Sequence, residues 1–164
     1  MVHLEHPFEP IFNEKSEVLI LGSFPSVASR KQNFYYAHPQ NRFWKIIAHL
    51  TKIDPIPTDI EGKKFILLAH KIALWDVIQS CNIENSNDNR ITNVTPANLF
   101  SLLKNAPIRH IFTNGHKAYQ LYNKYLSLNI FYPVSKLPST SPANAIYDFE
   151  KLIHCWGIIK QYLN

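Results

Sequence analysis

Residues 24–41 bring Phe24, Phe34, Tyr35 and Tyr36 together with Asn33 and Asn41 in a stretch without periodicity. Flat rings beside a neutral amide are what a pocket for an everted nucleobase requires. The rings stack, at roughly 1–3 kcal/mol per base, and the amide hydrogen-bonds. For each ring, packing in the core competes with that use, and Tyr36 is the one its surroundings most favour for the pocket. Asn41 also has two readings. Asparagine is among the best helix caps, and Phe43, Ile47 and Leu50 follow it at helical spacing. Ser139, Thr140 and Ser141, followed by Pro142, offer hydroxyl donors without charge, which suits holding phosphates. The competing use is a plain cap, with Ser141 or Thr140 at the N-cap and Pro142 in the first turn. His38 and His116 fall near the same loops, where an exposed or capping role is simpler than a catalytic one.

Several other chemistries lack their residues. With four glycines the chain holds neither GxGxxG nor GxxxxGKS/T, so a dinucleotide or P-loop site is not expected. There is no GxSxG elbow. None of the eight histidines stands in a metal-ligand spacing such as HExxH, and Cys81 and Cys155 cannot complete a four-thiolate cluster. Neither a metal nor a cofactor is therefore expected. The net charge of +5 is compatible with a polyanionic partner. Residues 1–10 are too polar for a signal peptide, and no apolar run approaches ~18 residues. These features predict a soluble, cytoplasmic protein with no membrane contact, taken as a monomer.

The elements that must position these residues follow from the pattern. At 164 residues and 46% hydrophobic content the chain suits one globular domain over residues 1–164. Pro7 and Pro10 predict an irregular lead-in over residues 1–16. Val18 to Gly22 reads as a buried strand, apolar without alternation. An irregular segment follows, then a helix from Asn41 to about Thr51, and a second from a Thr58 cap to about His70. Ile72 to Val77 reads as a strand, and the asparagine-rich residues 79–98 as a loop, either solvated or functional. A helix over residues 97–105, a strand over 109–113, a turn at Asn114-Gly115 and a helix carrying Ala118, Leu121, Tyr122 and Tyr125 come next. The last elements are a strand over 129–134 and a helix after Pro142 whose stripe runs from Ile146 to Leu163. Strands alternating with helices predict an α/β fold, a three-layer α/β/α sandwich around a four-stranded parallel sheet. The loops leaving the strand ends at 22–41, 113–116 and 137–142 then gather on one edge, where such sheets bind ligands.

GSFPS at 22–26, YYAHPQNRFW at 35–44, TNG at 113–115 and LPSTSP at 137–142 resemble the uracil-DNA glycosylase superfamily. AHPQNRFWKII at 37–47 is similar to mismatch-specific uracil-DNA glycosylases, and the GSFP, YYA and LPSTSPA wording is closer to the hypoxanthine-DNA (deoxyinosine) glycosylase branch. The resemblance spans about residues 17–160. It implies a four-stranded parallel sheet between helices and a monofunctional enzyme that flips a damaged base and uses water without a cofactor. The partner it implies is double- or single-stranded DNA carrying a deaminated base. Position 24, where relatives carry a water-orienting Asn or Asp, is Phe here, which turns the expectation away from ordinary uracil excision and toward hypoxanthine. By the resemblance Asn41 is the catalytic amide and Tyr36 stacks on the base, with Ser23, Phe24 and Asn114 also lining the base site. Ser139, Thr140, Ser141 and Pro142 form the DNA-contacting loop, and Leu137 replaces a His or Asn used by many relatives. Two other outcomes remain open: removal of uracil from mismatched or single-stranded DNA, and a non-catalytic nucleic-acid-binding domain of the same fold. A Rossmann-like small-molecule binder is disfavoured by the missing glycines.

Overall fold

Every residue of the strand Val18–Gly22 is buried, as a central parallel strand covered on both faces must be. The computed structural model describes residues 2–84 and 90–163. Its elements are β1 (Val2–Glu5), β2 (Val18–Gly22), α1 (Val27–Gln32), α2 (Phe43–Thr51), α3 (Ile60–Ala69), β3 (Ile72–Asp76), β4 (Ile78–Ile83), β5 (Ile91–Pro96), α4 (Leu99–Asn105), β6 (His110–Asn114), α5 (His116–Tyr125), β7 (Val134–Leu137) and α6 (Phe149–Trp156), the last tightening into a 3-10 turn over Gly157–Tyr162. Four strands form a parallel sheet in the order β3-β2-β6-β7. Gly22 pairs with Asp76 and Asn114 with Leu137, so the ends of all four strands face one edge. Helices flank this sheet. Phe43, Ile46 and Ile47 of α2 and Leu152 and Trp156 of α6 are buried in the core with it.

The N-terminal segment is not an irregular lead-in. Val2–Glu5 is an edge strand that pairs antiparallel with β4, and β5 completes a second, three-stranded sheet. Pro7 and Pro10 lie after that strand and do not interrupt it. Ile11 then bridges to Leu74 on the outer edge of β3. Most of the predicted 79–98 loop is β4 and β5, while residues 85–89 lie outside the described residues. Register shifts between Ile78 and Asn82 break the two-residue alternation that would have marked β4 as a strand.

Other boundaries moved for local reasons. Asp59, not Thr58, caps α3 by accepting from the Gly62 N–H. A short helix, α1, sits inside the segment expected to be irregular, capped by Ser26. The fourth parallel strand is Val134–Leu137 and not 129–134, because Pro133 has no N–H to give a ladder and Phe131 stands exposed. The last helix starts at Phe149 under an Asp148 cap. Ser141, Thr140 and Pro142 therefore cap no helix, and the segment from Pro138 to Tyr147 is a loop of its own.

Candidate functional site

The strand ends open into one cavity of about 980 Å³. Its floor is the C-terminal end of β2 and β3, with Gly22 and Asp76; its walls include Phe24, Tyr36, Asn41 and Asn114. Ser139, Ser141, Lys136, His116 and Lys117 also line it. Of the residues singled out from the sequence, Ser23, Phe24, Tyr36, Asn41, Asn114, Ser139, Thr140 and Ser141 all line this space, and Pro142 does not. His116 borders it, whereas His38 is exposed and accepts from the Gln40 N–H.

The helix expected from Asn41 starts at Phe43, with Arg42 at its N-cap, so Asn41 stands one residue ahead of the cap and still bonds the first turn. Its Oδ1 accepts from the Phe43 N–H at 2.9 Å, closing the start of α2, and from the Thr140 hydroxyl at 2.8 Å. A carbonyl oxygen has two lone pairs, and both are engaged. What the side chain still offers the cavity is its Nδ2, which has no hydrogen bond among the described residues. Asn41 is thus a donor held in place by its own acceptor.

Thr140 joins three segments. Its hydroxyl donates to Asn41 and accepts from Asn114 Nδ2 at 3.0 Å, while its N–H donates to Asn114 Oδ1 at 3.0 Å. At 1% exposure this hydroxyl is not one a phosphate can reach. Asn114, its amide paired at both ends, braces the loop after β7. Ser139 and Ser141 accept backbone N–H groups of Ser141 and Ala143, which leaves their hydroxyl protons to donate outward.

Arg42 fastens the same loop. Its guanidinium donates to the carbonyls of Ser141 (2.8 Å), Asn144 (3.1 Å) and Tyr147, and its backbone N–H to Thr140 O at 3.1 Å. The loop therefore keeps a fixed shape without secondary structure, and it holds Ile146 outward at 81% exposure. Arg42→Ala should lower stability by about 1.5–3 kcal/mol, the range for hydrogen bonds to a charged group, and open residues 139–147 to limited proteolysis. An unchanged melting point and cleavage pattern would show that the loop holds itself.

The aromatic residues divide. Phe34 stacks on Trp44 and is buried, and Tyr35 donates its hydroxyl to Glu9 O; both serve mainly as core. Tyr36 lies with its ring against Phe43 at 4.2 Å, so only its other face is available to a ligand. Its backbone sits at φ 52°, the left-handed region, which turns this residue out of line with Tyr35. Its hydroxyl is buried with no hydrogen-bond partner. Burial, and then the Asp76 carboxylate, push its pKa far up despite the nearby Asn114 amide, so the phenol keeps its proton.

Two residues carry no signal in the sequence pattern: Asp76 on the floor and His6, which bonds it from outside the lining. Asp76 ends β3 at 4% exposure. Its Oδ2 accepts from His6 Nε2 at 2.7 Å, and its Oδ1 has no hydrogen bond among the described residues. His6, itself buried, comes from the segment after β1. Gly22 leaves room for them: a Cβ there would lie 2.4 Å from Asp76 Oδ1 and 2.8 Å from the Tyr36 hydroxyl. The carboxylate that ends the otherwise apolar β3 takes its meaning only from the sheet, which sets it at the binding edge.

Comparison with known proteins places this geometry. Hypoxanthine DNA glycosylase of Methanosarcina barkeri is 34% identical over 113 residues, which cover 68% of this chain and 71% of that one. Hypoxanthine DNA glycosylase of Methanosarcina acetivorans is 33% identical over 142 residues, covering 86% and 89%. The solution NMR structure of a candidate uracil DNA glycosylase from Methanosarcina acetivorans superposes with a TM-score of 0.82 at 29% identity, over 98% of this chain and 99% of that one. A sequence profile of the uracil DNA glycosylase superfamily matches residues 9–160, and the chain belongs to that superfamily.

Proposed function

We propose that this protein is a monofunctional DNA glycosylase of base excision repair that removes hypoxanthine from deoxyinosine-containing DNA with water and no cofactor. The observation that carries the reading is Asn41, whose Oδ1 is fixed by two hydrogen bonds and whose Nδ2 remains as a donor in the wall of the cavity. Water adds its oxygen to C1′ as the bond from C1′ to the base nitrogen breaks. The bonding electron pair leaves with the base, and the proton that the water gives up ends on the departed base. The transition state resembles an oxocarbenium ion, as in glycoside hydrolysis generally, and negative charge grows on the base. A fixed neutral donor stabilises that charge without having to ionise. Asn41 is the catalytic residue on this reading, and Tyr36 supplies the stacking face.

The other site residues take supporting places. Ser23 and Phe24 edge the base site. Phe24 has no polar atom to orient a water, which favours hypoxanthine over uracil as the main substrate. Ser139 and Ser141, with Lys136 and His116 beside the cavity, suit the phosphates on either side of an everted nucleotide. Ile146, the exposed apolar side chain of the pinned loop, suits the gap left in the stack.

The test is release of free base from oligonucleotides carrying deoxyinosine, deoxyuridine or deoxyxanthosine. Hypoxanthine is expected to be released fastest. Uracil released first would move the reading to a uracil enzyme, and no base from any of the three would leave a DNA-binding domain without catalysis.

A further inference from the structure

A side-chain amide can turn end for end without changing its shape, so the sense of Asn41 is set by the hydrogen bonds behind it. Those bonds begin at a backbone N–H, which can only donate. The Thr140 N–H meets the Asn114 amide at 3.0 Å and fixes that atom as Oδ1. Asn114 Nδ2 must then face the Thr140 hydroxyl, and it donates to Oγ1 at 3.0 Å. A hydroxyl has one proton. With Asn114 donating into Oγ1, that proton is left for Asn41 Oδ1, 2.8 Å away. The Phe43 N–H, a second obligate donor, reaches the same oxygen at 2.9 Å. The bonds through Asn114 and Thr140 therefore run one way, from the loop after β7 into the wall of the cavity.

We propose that Thr140 is a positioning residue for excision, whose hydroxyl holds Asn41 as a donor toward the departing base and strengthens that donor. At 1% exposure Thr140 acts through Asn41 and not on the substrate. One effect is geometric. With both lone pairs of Oδ1 engaged the amide cannot turn, so Nδ2 stands ready where negative charge will develop. The other effect is electronic. Donors to an amide oxygen draw electron density from its nitrogen, and hydrogen bonds in series reinforce one another. Because the charge on the base grows only toward the transition state, both effects fall on the rate of excision and not on affinity for DNA. The loop itself does not depend on this hydroxyl, since the Arg42 N–H and guanidinium hold its backbone. This inference rests on the glycosylase reading above, with Asn41 as its catalytic residue.

Thr140→Val replaces the hydroxyl by a methyl group and leaves the backbone bonds of Thr140 to Asn114 and Arg42 in place. Single-turnover excision from deoxyinosine-containing DNA, and affinity for the same DNA, are measured for the wild type, Thr140→Val, Asn41→Ala and the double variant. The expected result for Thr140→Val is a rate lower by about 5- to 10-fold, the worth of one neutral hydrogen bond, at unchanged affinity. Added to Asn41→Ala it should cost nothing further, because residues that act through one another are not additive. Thr140→Ser, which returns the hydroxyl, should restore the wild-type rate. An equal loss in both backgrounds would make Thr140 a brace of the loop, and a loss of affinity at unchanged rate would make it a DNA contact. Either result overturns the proposal, as does a Thr140→Val rate equal to that of the wild type. Undiminished excision by Asn41→Ala would remove the catalytic role of Asn41 and the proposal with it. Wild-type protein that releases no base from any deaminated substrate overturns the glycosylase reading itself. If Thr140→Val does not fold, Thr140→Cys takes its place in the same cycle with the same pattern expected, because a thiol is a weak donor.

Discussion

Asn41→Asp is expected to keep the protein as stable as the wild type and to slow hypoxanthine excision by about 10²- to 10³-fold, the loss seen when one preorganised donor to a developing anion is removed. The substitution is nearly isosteric. One carboxylate oxygen still accepts from the Phe43 N–H and the Thr140 hydroxyl, and an anion at the start of α2 is favoured by the helix dipole. What changes is the group left for the cavity. The Nδ2 donor becomes an oxygen bearing charge of the same sign as the departing base. Stability and rate therefore separate, which a merely structural Asn41 would not allow. Rates under single turnover and the thermal midpoint of the same preparation check both halves. An aspartate that retains excision would show that position 41 serves the attacking water as an acceptor.

The double engagement of Asn41 also shows where sequence reasoning ends. The spacing of Phe43, Ile47 and Leu50 announced α2, and an asparagine ahead of it could be read as a cap or as chemistry. The two uses do not compete, because the bonds from the Phe43 N–H and the Thr140 hydroxyl hold the oxygen and leave the nitrogen free of hydrogen bonds among the described residues. No pattern in one dimension reveals that, since the third partner, Thr140, arrives from the far end of the chain. The parallel sheet was legible for a simpler reason: β2 and β3 are buried on both faces and carry apolar residues without alternation. β7 was misplaced because the apolar run before it contains Pro133 and an exposed Phe131, and burial cannot be told from composition there. From the sequence, part of the segment from Pro138 to Tyr147 reads as helix. Its serines and proline do resemble a helix start, but Arg42 satisfies its carbonyls in place of a helical ladder. A long cationic side chain beside Asn41 carried no signal of that task.

His6 is the residue for which the sequence offered least, and its removal should have the largest effect on stability. His6→Ala is expected to destabilise the fold by about 3 kcal/mol, the lower end of the range for breaking a buried pair. The lower end applies because Asp76 borders the cavity, where water can reach Oδ1. The loss comes from leaving the carboxylate without its donor. Truncating the ring also removes its edge contacts with Phe8 and Phe24, so the single variant does not isolate the pair. Adding Asp76→Asn in the His6→Ala background separates the two causes. If the uncompensated carboxylate dominates, the double variant is more stable than His6→Ala alone in urea denaturation, although it carries one more substitution. If lost packing dominates, the two losses add and the double variant is the weaker. The first outcome would explain why an edge strand of four residues, β1, precedes a proline-rich turn at the start of this chain: pairing with β4 anchors the segment that delivers His6 beneath Asp76.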